Sequence, residues 1–193
     1  MLRPLSTNDF AAWREVRTRN ESGLVPWEPL RSATLPDPVT DRSAFDARCS
    51  ARDRERAADH AYPFGVFVDQ QFAGELNINN VTRGALQGAT IGYWIDQARA
   101  GNSYISEAVV VATKFAFEEL QLHRLEICIV PRNANSRRVV EKLRLRNEGV
   151  AERYLEINGT WEDHVRYGIT VEEWDQRREE LVAAWIHRPR DLV

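Results

Sequence analysis

Two segments of the sequence carry residue types that suit the binding of an anion. Residues 96–104 separate a predicted strand from a predicted helix and contain Gly101. Because the first turn of a helix has unpaired N–H groups and partial positive charge, this arrangement favours a phosphate. Residues 131–138 follow the next predicted strand and open another helix, which Asn133 or Asn135 can cap. Both segments leave the carboxyl ends of neighbouring strands, so we predict that they flank one ligand-binding crevice.

Other kinds of catalytic or metal site find little support in the sequence. A G-x-S-x-G nucleophile motif and a P-loop are both absent. Cys49 and Cys128 lie far apart, which excludes a disulfide framework and a cysteine-rich metal site and indicates a reducing compartment. The histidines lack metal-ligand spacing, so we expect no metal; they are His60, His123, His164 and His187.

The composition indicates one globular domain without a polyanionic or membrane partner. The chain has 193 residues, and its 26 basic and 29 acidic side chains give a formal charge of −3. It therefore has no surplus of cations for a nucleic acid. No apolar run approaches the roughly 18 residues that cross a bilayer, and the N-terminal segment lacks the apolar centre of a signal peptide. We expect a cytoplasmic protein.

Hydrophobic periodicity predicts both helices and strands. Their order is two helices, three strands, a helix, a strand, a helix, two strands and a helix, which indicates an α+β or mixed α/β layer fold. The predicted helices cover residues 9–19, 45–59, 103–120, 135–145 and 171–186. The predicted strands cover residues 64–68, 72–81, 90–96, 125–130, 150–157 and 161–169. The strand over 125–130 is expected to be buried on both faces.

The second strand and the first long loop could both border a substrate. Glu75, Asn77 and Asn79 share one face of the strand, which either meets solvent or lines a polar cleft. Residues 23–38 form a loop rich in proline, and such loops run over the surface, where substrate-selecting segments often lie.

The last predicted helix has an apolar face that needs a cover. Trp174 and Trp185 belong to this face, together with Leu181 and Val182. The face either packs back on the sheet or pairs with a second subunit. We expect a homodimer that forms through this helix.

Several motifs in the same order resemble one family. They are TIGYWID, ARAGNSY and SEA, then LHRLEICIVPRNANSRRVVEKL, then EGVAERYLEINGTWEDHVRY. These runs resemble the GNAT acetyltransferases of the RimJ/RimL type, which acetylate ribosomal-protein N-termini. The resemblance extends from LRPLSTNDFAAWREVR to YGITVEEW. It implies a GNAT-like fold, a mostly antiparallel central sheet with one splayed parallel strand pair between flanking helices. Residues 1–170 would form that domain, and residues 171–193 its C-terminal helical extension.

The resemblance also implies a binding site for acetyl-CoA as co-substrate, without a metal. The cofactor would lie where the strand over 91–96 splays from the strand over 125–130. Asn133 would bind the cofactor arm, Ser136 would protonate the leaving thiolate, and Arg138 would either approach the nucleotide phosphates or remain an exposed cation. The pantetheine would pair with the backbone of Trp94, Ile95 and Asp96. The pyrophosphate would sit on the N–H groups of Arg99, Ala100, Gly101, Asn102, Ser103 and Tyr104.

The sequence departs from the family pattern at two places. Where the family's pyrophosphate motif reads Q/R-x-x-G-x-G/A, this chain has Ala100, Ser103 and Ile105. The Ser103 hydroxyl is expected to cap the helix or crowd the phosphate, and thereby weaken cofactor binding. Arg144 stands where the family has a glycine in a left-handed helix end, which costs about 1 kcal/mol.

The resemblance implies direct attack of an amine on the thioester, which requires a base for the amine proton. The candidates are Glu126, which starts the strand beside the cleft, Glu75, on the polar strand face, and Glu156, beside the family's base position at Leu155. Each of the three carboxylates could instead be an ordinary surface or ion-paired group.

The expected activity is acetyl transfer from acetyl-CoA to a primary amine. A protein N-terminus is the acceptor that the resemblance favours. The alternatives are a small amine or antibiotic as acceptor, or a non-catalytic module that binds acyl-CoA or a protein partner through a degraded pyrophosphate loop.

Overall fold

A computed structural model describes residues 1–32 and 34–186 of the chain. The helices are α1 (Phe10–Leu24), α2 (Arg42–Ala57), α3 (Tyr104–Glu118), α4 (Ala134–Lys142) and α5 (Val171–Trp185). The strands are β1 (Leu2–Arg3), β2 (Tyr62–Val68), β3 (Gln71–Thr82), β4 (Gly88–Ile95), β5 (Arg124–Ile129), β6 (Arg146–Ile157) and β7 (Thr160–Thr170). Single 3₁₀ turns cover Thr7–Asp9, Val25–Trp27 and Gln97–Arg99.

The strands form one sheet of seven in the order β1-β2-β3-β4-β5-β7-β6. Neighbouring strands run antiparallel except β4 and β5, which are parallel. The predicted order of the longer elements and the mostly antiparallel sheet with one parallel pair are confirmed. β1 was not predicted, because a strand of two residues contains no period to detect.

Helices cover the sheet in two layers. Leu76 and Ile78 of β3 belong to the larger core, which also includes apolar side chains of α3, α4 and α5. On the other face, Trp13 of α1 and Phe45 of α2 form a smaller core. Glu75 faces this second layer, since Trp13 Nε1 donates to its carboxylate. The alternation that separates Glu75 from Leu76 therefore assigns the polar face of β3 to the α1 and α2 side.

β5 is buried on one face and not on both, so that prediction is wrong. Leu125, Ile127 and Ile129 are buried, whereas Glu126 and Cys128 are half-buried. The physical reason is that α3 and α4 pack on one face of β5, whereas α1 and α2 pack against β3 and β2. The other face of β5 is therefore only partly covered, and there Arg124 and Arg166 contact Glu126.

α5 packs back on its own chain. Trp174 is 1% exposed, and its ring centroid lies 6.2 Å from that of Phe117 in α3. Its indole Nε1 donates to Glu118 at 3.3 Å. The apolar face of α5, through which we expected a homodimer to form, thus packs on the core of its own chain. The homodimer stays a prediction, and this face is no longer its expected interface. None of the described helices combines the length and apolar composition that crossing a membrane requires.

Candidate functional site

The parallel strands β4 and β5 part after a short shared segment. They pair only where Gly88, Ala89 and Thr90 lie beside Arg124, Leu125 and Glu126. Beyond this segment, β4 continues against β3 and β5 continues against β7. A gap therefore opens between the carboxyl-terminal halves of the two strands, at the predicted position.

The segment between β4 and α3 offers unpaired donors at one side of this gap. The N–H of Arg99 donates to Asp96 O at 2.8 Å, and that of Ala100 donates to Gln97 O at 3.1 Å. Within the described chain, the N–H groups of Gly101, Asn102 and Ser103 have no acceptor. The donors available to an anion are consequently fewer than the six that the resemblance implied, and Arg99 and Ala100 are not among them.

Ser103 adopts an unexpected role at the start of α3. Its φ of 63° lies in the left-handed region, and its side chain forms no capping hydrogen bond. Instead, its Oγ accepts a hydrogen bond of 3.1 Å from Lys142 Nζ. The expectation that the hydroxyl consumes the helix donors is therefore wrong, because left-handed backbone turns the side chain away from them. Lys142 thus places a cation beside this site, which was not predicted from the sequence.

Asp96 is a structural residue at the end of β4. The residue is 1% exposed, and its side chain accepts hydrogen bonds from Arg19, from Asn20 Nδ2 at 2.8 Å and from the N–H of Ala98 at 3.3 Å. The Arg19 guanidinium is the main cause that lowers the pKa of this carboxyl. The Asp96 N–H donates to Ala73 O at 2.7 Å, so it is not available to a pantetheine.

Trp94 and Ile95 lie on the part of β4 that borders the gap. The Trp94 ring packs edge-on to Phe72, and the Arg17 guanidinium lies 5.2 Å from its centroid. Ile95 packs against the larger core. Pairing of their backbone with a ligand stays a prediction.

At the start of α4, two residues of the predicted site are in contact. Asn133 Oδ1 accepts from the N–H of Ser136 at 3.1 Å, so Asn133 rather than Asn135 caps the helix. Ser136 Oγ donates to Tyr93 OH at 3.0 Å, and Tyr93 OH donates to Ser136 O at 3.1 Å. Burial raises the pKa of Tyr93, which keeps the phenol protonated. Tyr93 could not be identified from the sequence, because its partner Ser136 is 43 residues away along the chain.

α4 extends alongside the gap and presents two polar contacts. Ser136 meets Tyr93 near its start, and Lys142 meets Ser103 at its end. At a rise of 1.5 Å per residue, these contacts lie about 9 Å apart along the helix. Arg138 is exposed and donates to Asn135, which leaves its predicted phosphate contact a prediction.

The candidate bases occupy three different environments. Glu75 is 3% exposed and is held beneath α1 and α2 by Trp13 Nε1, at 2.6 Å, and by Arg48. Glu126 lies at the point where the strands part, and its two oxygens contact Arg124 Nε at 2.9 Å and an Arg166 amino group at 2.7 Å. Glu156 is exposed on β6. Burial favours a structural role for Glu75, and position favours Glu126 as the group nearest the gap.

The predicted substrate-selecting loop lies next to the β6–β7 hairpin. α1 continues to Leu24, so the loop begins later than expected. The N–H of Asn158 donates to Glu28 O at 2.8 Å, and the Arg132 guanidinium lies 4.5 Å from the Trp27 ring centroid. The hairpin and the loop thus lie in contact with each other and form one continuous surface. Trp161 of the hairpin is 62% exposed on this surface.

Comparison with known proteins shows the family to which a chain with this site belongs. The sequence profile of a family described as an acetyltransferase (GNAT) domain matches residues 1–146. The chain belongs to the GNAT acetyltransferase family.

Relatives of this GNAT chain include enzymes that modify ribosomal proteins. The [ribosomal protein uS5]-alanine N-acetyltransferase of Escherichia coli is 30% identical over 175 residues, which are 89% of this chain and 88% of the relative. "Probable N-acetyltransferase YjcK" of Bacillus subtilis is 44% identical over 108 residues, and the match spans 55% of this chain and 60% of that relative. The solved structure of Mycobacterium smegmatis RimJ with CoA-disulfide has a TM-score of 0.86 and 36% identity, with 95% of this chain and 87% of that chain covered.

The GNAT chain is an acetyltransferase, and acetyl-CoA is its co-substrate. The residues at the gap fit this molecule. The N–H groups of residues 101–103 and the Lys142 ammonium suit a diphosphate, and an added Cβ at Gly101 would meet nothing within 4 Å. The gap between β4 and β5 leaves backbone without a strand partner for the pantetheine amides.

Loss of Lys142 should weaken CoA binding by the GNAT chain. We expect Lys142→Ala to raise the Kd for CoA about fivefold, since an exposed cation on a phosphate contributes on the order of 1 kcal/mol. Isothermal titration calorimetry at low and high salt measures this, and the effect should shrink at high salt. Lys114→Ala is the matched control, because Lys114 pairs with Glu118 within α3. Equal effects of the two substitutions would contradict the assignment.

Glycine at either of two positions with left-handed backbone should make the GNAT chain more stable. Ser103 and Arg144 have φ values of 63° and 51°. We expect Ser103→Gly and Arg144→Gly each to raise the free energy of unfolding by about 1 kcal/mol, because glycine carries no Cβ penalty there. Ser103→Ala keeps the strain and serves as the control. Urea denaturation measures the change, and destabilisation by both glycines would contradict the backbone geometry.

Proposed function

We propose that this acetyltransferase transfers an acetyl group to the N-terminal amine of a protein in the cytoplasm. The observation that carries the proposal is the parting of β4 and β5 beside unpaired N–H groups, next to the half-buried face of β5. The Escherichia coli relative, matched over 88% of its length, is named for the alanine of ribosomal protein uS5, which supports a protein N-terminus as acceptor.

Ser136 and Glu126 are the side chains that we assign to the chemistry. Acetyl-CoA, when bound, supplies the thioester carbon that the amine attacks. The Ser136 hydroxyl, at the first turn of α4, donates a hydrogen bond to the sulfur that receives the electron pair of the broken bond. The Glu126 carboxylate takes up the amine proton through a water, since each oxygen retains a lone pair beside its arginine partner.

The acceptor is tested with defined amines. The chain is incubated with acetyl-CoA and peptides that begin with alanine and carry an internal lysine, and mass spectrometry locates the acetyl group. We expect acetylation at the N-terminal amine, and none when that amine is blocked. Acetylation of the lysine, or only of small amines such as polyamines, would contradict the proposal. Binding of acetyl-CoA without transfer to any amine would favour the non-catalytic alternative.

A further inference from the structure

Tyr93 and Ser136 form a closed pair of hydrogen bonds between β4 and α4. Ser136 Oγ donates to the phenol oxygen at 3.0 Å, and the phenol donates back to the Ser136 carbonyl at 3.1 Å. Tyr93 lies on β4 beyond Thr90, the last residue of that strand paired with β5, so it borders the gap. The pair therefore connects the parted strand to the helix that carries the proposed hydrogen-bond donor.

We propose that Tyr93 is a positioning residue that holds and polarises the Ser136 hydroxyl during acetyl transfer. The inference rests on the proposed function, which places the thioester sulfur beside Ser136. When the amine–carbon bond forms and the carbon–sulfur bond breaks, the electron pair goes to sulfur. The Ser136 hydrogen then turns to the sulfur, and the Tyr93 O–H turns from the carbonyl to Ser136 Oγ. Tyr93 keeps its proton throughout.

The environment of Tyr93 suits a donor that never ionises. Burial is the largest cause that raises its pKa, and Tyr167 adds to that effect. The phenol therefore remains a neutral donor over the working pH range. A donor that itself receives a hydrogen bond becomes a stronger donor, because such chains polarise one another in a low-dielectric site. Tyr93 thus strengthens the contact that Ser136 makes with the sulfur.

The ionisation of the thiol of bound CoA reports the hydrogen bond between Ser136 and sulfur, and this measurement needs no amine substrate. The CoA complex is titrated with pH while the ultraviolet absorbance of the thiolate is recorded, and a complex with a desulfo analogue of CoA supplies the blank. A hydrogen bond to sulfur favours the thiolate, so its loss raises the pH of ionisation. We expect an upward shift of about one unit in Ser136→Ala and about half a unit in Tyr93→Phe.

Two comparisons separate positioning from mere packing. Tyr62→Phe also removes a phenol hydrogen bond, of 2.8 Å to Asp59, but at another part of the sheet. It should leave the thiol titration unchanged. In the Ser136→Ala background, Tyr93→Phe should add no further shift, because Tyr93 acts through Ser136. In the transfer assay, Tyr93→Phe should lower kcat about fivefold and leave the KM for acetyl-CoA unchanged.

The inference is overturned if Tyr93→Phe binds CoA normally and its thiol titrates as in the unaltered chain. It is also overturned if the full Tyr93→Phe shift persists in the Ser136→Ala background. Failure of the unaltered chain to bind CoA in calorimetry is a different result, since it overturns the proposed function and this inference together.

Discussion

Asp96→Asn is expected to lower the free energy of unfolding by about 2 kcal/mol at neutral pH, since a buried carboxylate with several donors is replaced by an amide that repels some of them. Asp96 receives hydrogen bonds from Arg19, Asn20 and the Ala98 N–H. The loss of stability is smaller than for a fully buried ion pair because the Arg19 side chain is itself 43% exposed. Urea denaturation measures the difference.

The effect of Asp96 should depend on pH in a defined direction. Hydrogen bonding by Arg19 is the main cause that lowers its pKa in the folded state. A carboxyl with a lowered pKa contributes stability that is fully present above its unfolded pKa, about 3.9, and is lost as the pH falls through the folded value. The difference in the free energy of unfolding between the unaltered chain and Asp96→Asn should therefore be constant from about pH 5 to 8 and decrease below about pH 4.

Asp46→Asn is the matched control for that titration. Asp46 is 41% exposed and pairs with Arg42 one turn away on α2. Its replacement should change the free energy of unfolding by less than about 0.5 kcal/mol at every pH. If Asp96→Asn lowers the free energy of unfolding equally at acid and neutral pH, the ionised carboxylate is not what stabilises the end of β4.

The second large effect separates the two main candidate bases. We expect Glu126→Gln to lower kcat about 100-fold, the range of general-base catalysis, with an unchanged Kd for CoA. Glu75→Gln should instead keep kcat within about threefold and lower the free energy of unfolding by about 2 kcal/mol, because Trp13 and Arg48 lose a buried carboxylate. Transfer to an alanine-starting peptide and urea denaturation measure the two effects.

The outcome assigns the base in either direction. If Glu75→Gln loses catalysis and retains stability while Glu126→Gln remains active, Glu75 is the base despite its burial. Glu156→Gln, on the exposed β6, is the control that should change neither quantity. A loss of CoA affinity in Glu126→Gln would indicate that the Glu126 contacts with Arg124 and Arg166 shape the gap instead.

Local sequence determined most of the fold. The period of apolar residues located the elements longer than about five residues. The β6–β7 turn at Asn158 and Gly159 falls between the last two predicted strands. The strand β5 was predicted to be buried on both faces, although Glu126 and Cys128 alternate with aliphatic residues. This short run does not show that α1 and α2 pack against β3 and β2 and leave one face of β5 half-buried. Burial of a strand face depends on distant helices, which a local pattern does not contain.

The site was less accessible to sequence reasoning than the fold. Strand ends and the helix-opening segments predicted a ligand-binding crevice at this end of the sheet. The family resemblance implied the parting of the two strands and the roles of Ser136 and Asn133. The contacts of Tyr93 with Ser136 and of Lys142 with Ser103 join residues about 40 positions apart, so only the folded chain shows them. The left-handed backbone of Ser103 also escaped notice, because serine gives no signal for that conformation.

Hydrogen–deuterium exchange with saturating acetyl-CoA tests most directly whether the molecule is held between the parted strands. We predict slower exchange in residues 91–95, in residues 101–105 and around the start of α4, with little change in α2 and β1. Saturable binding that protects none of these segments, or that protects α2 instead, would contradict the account.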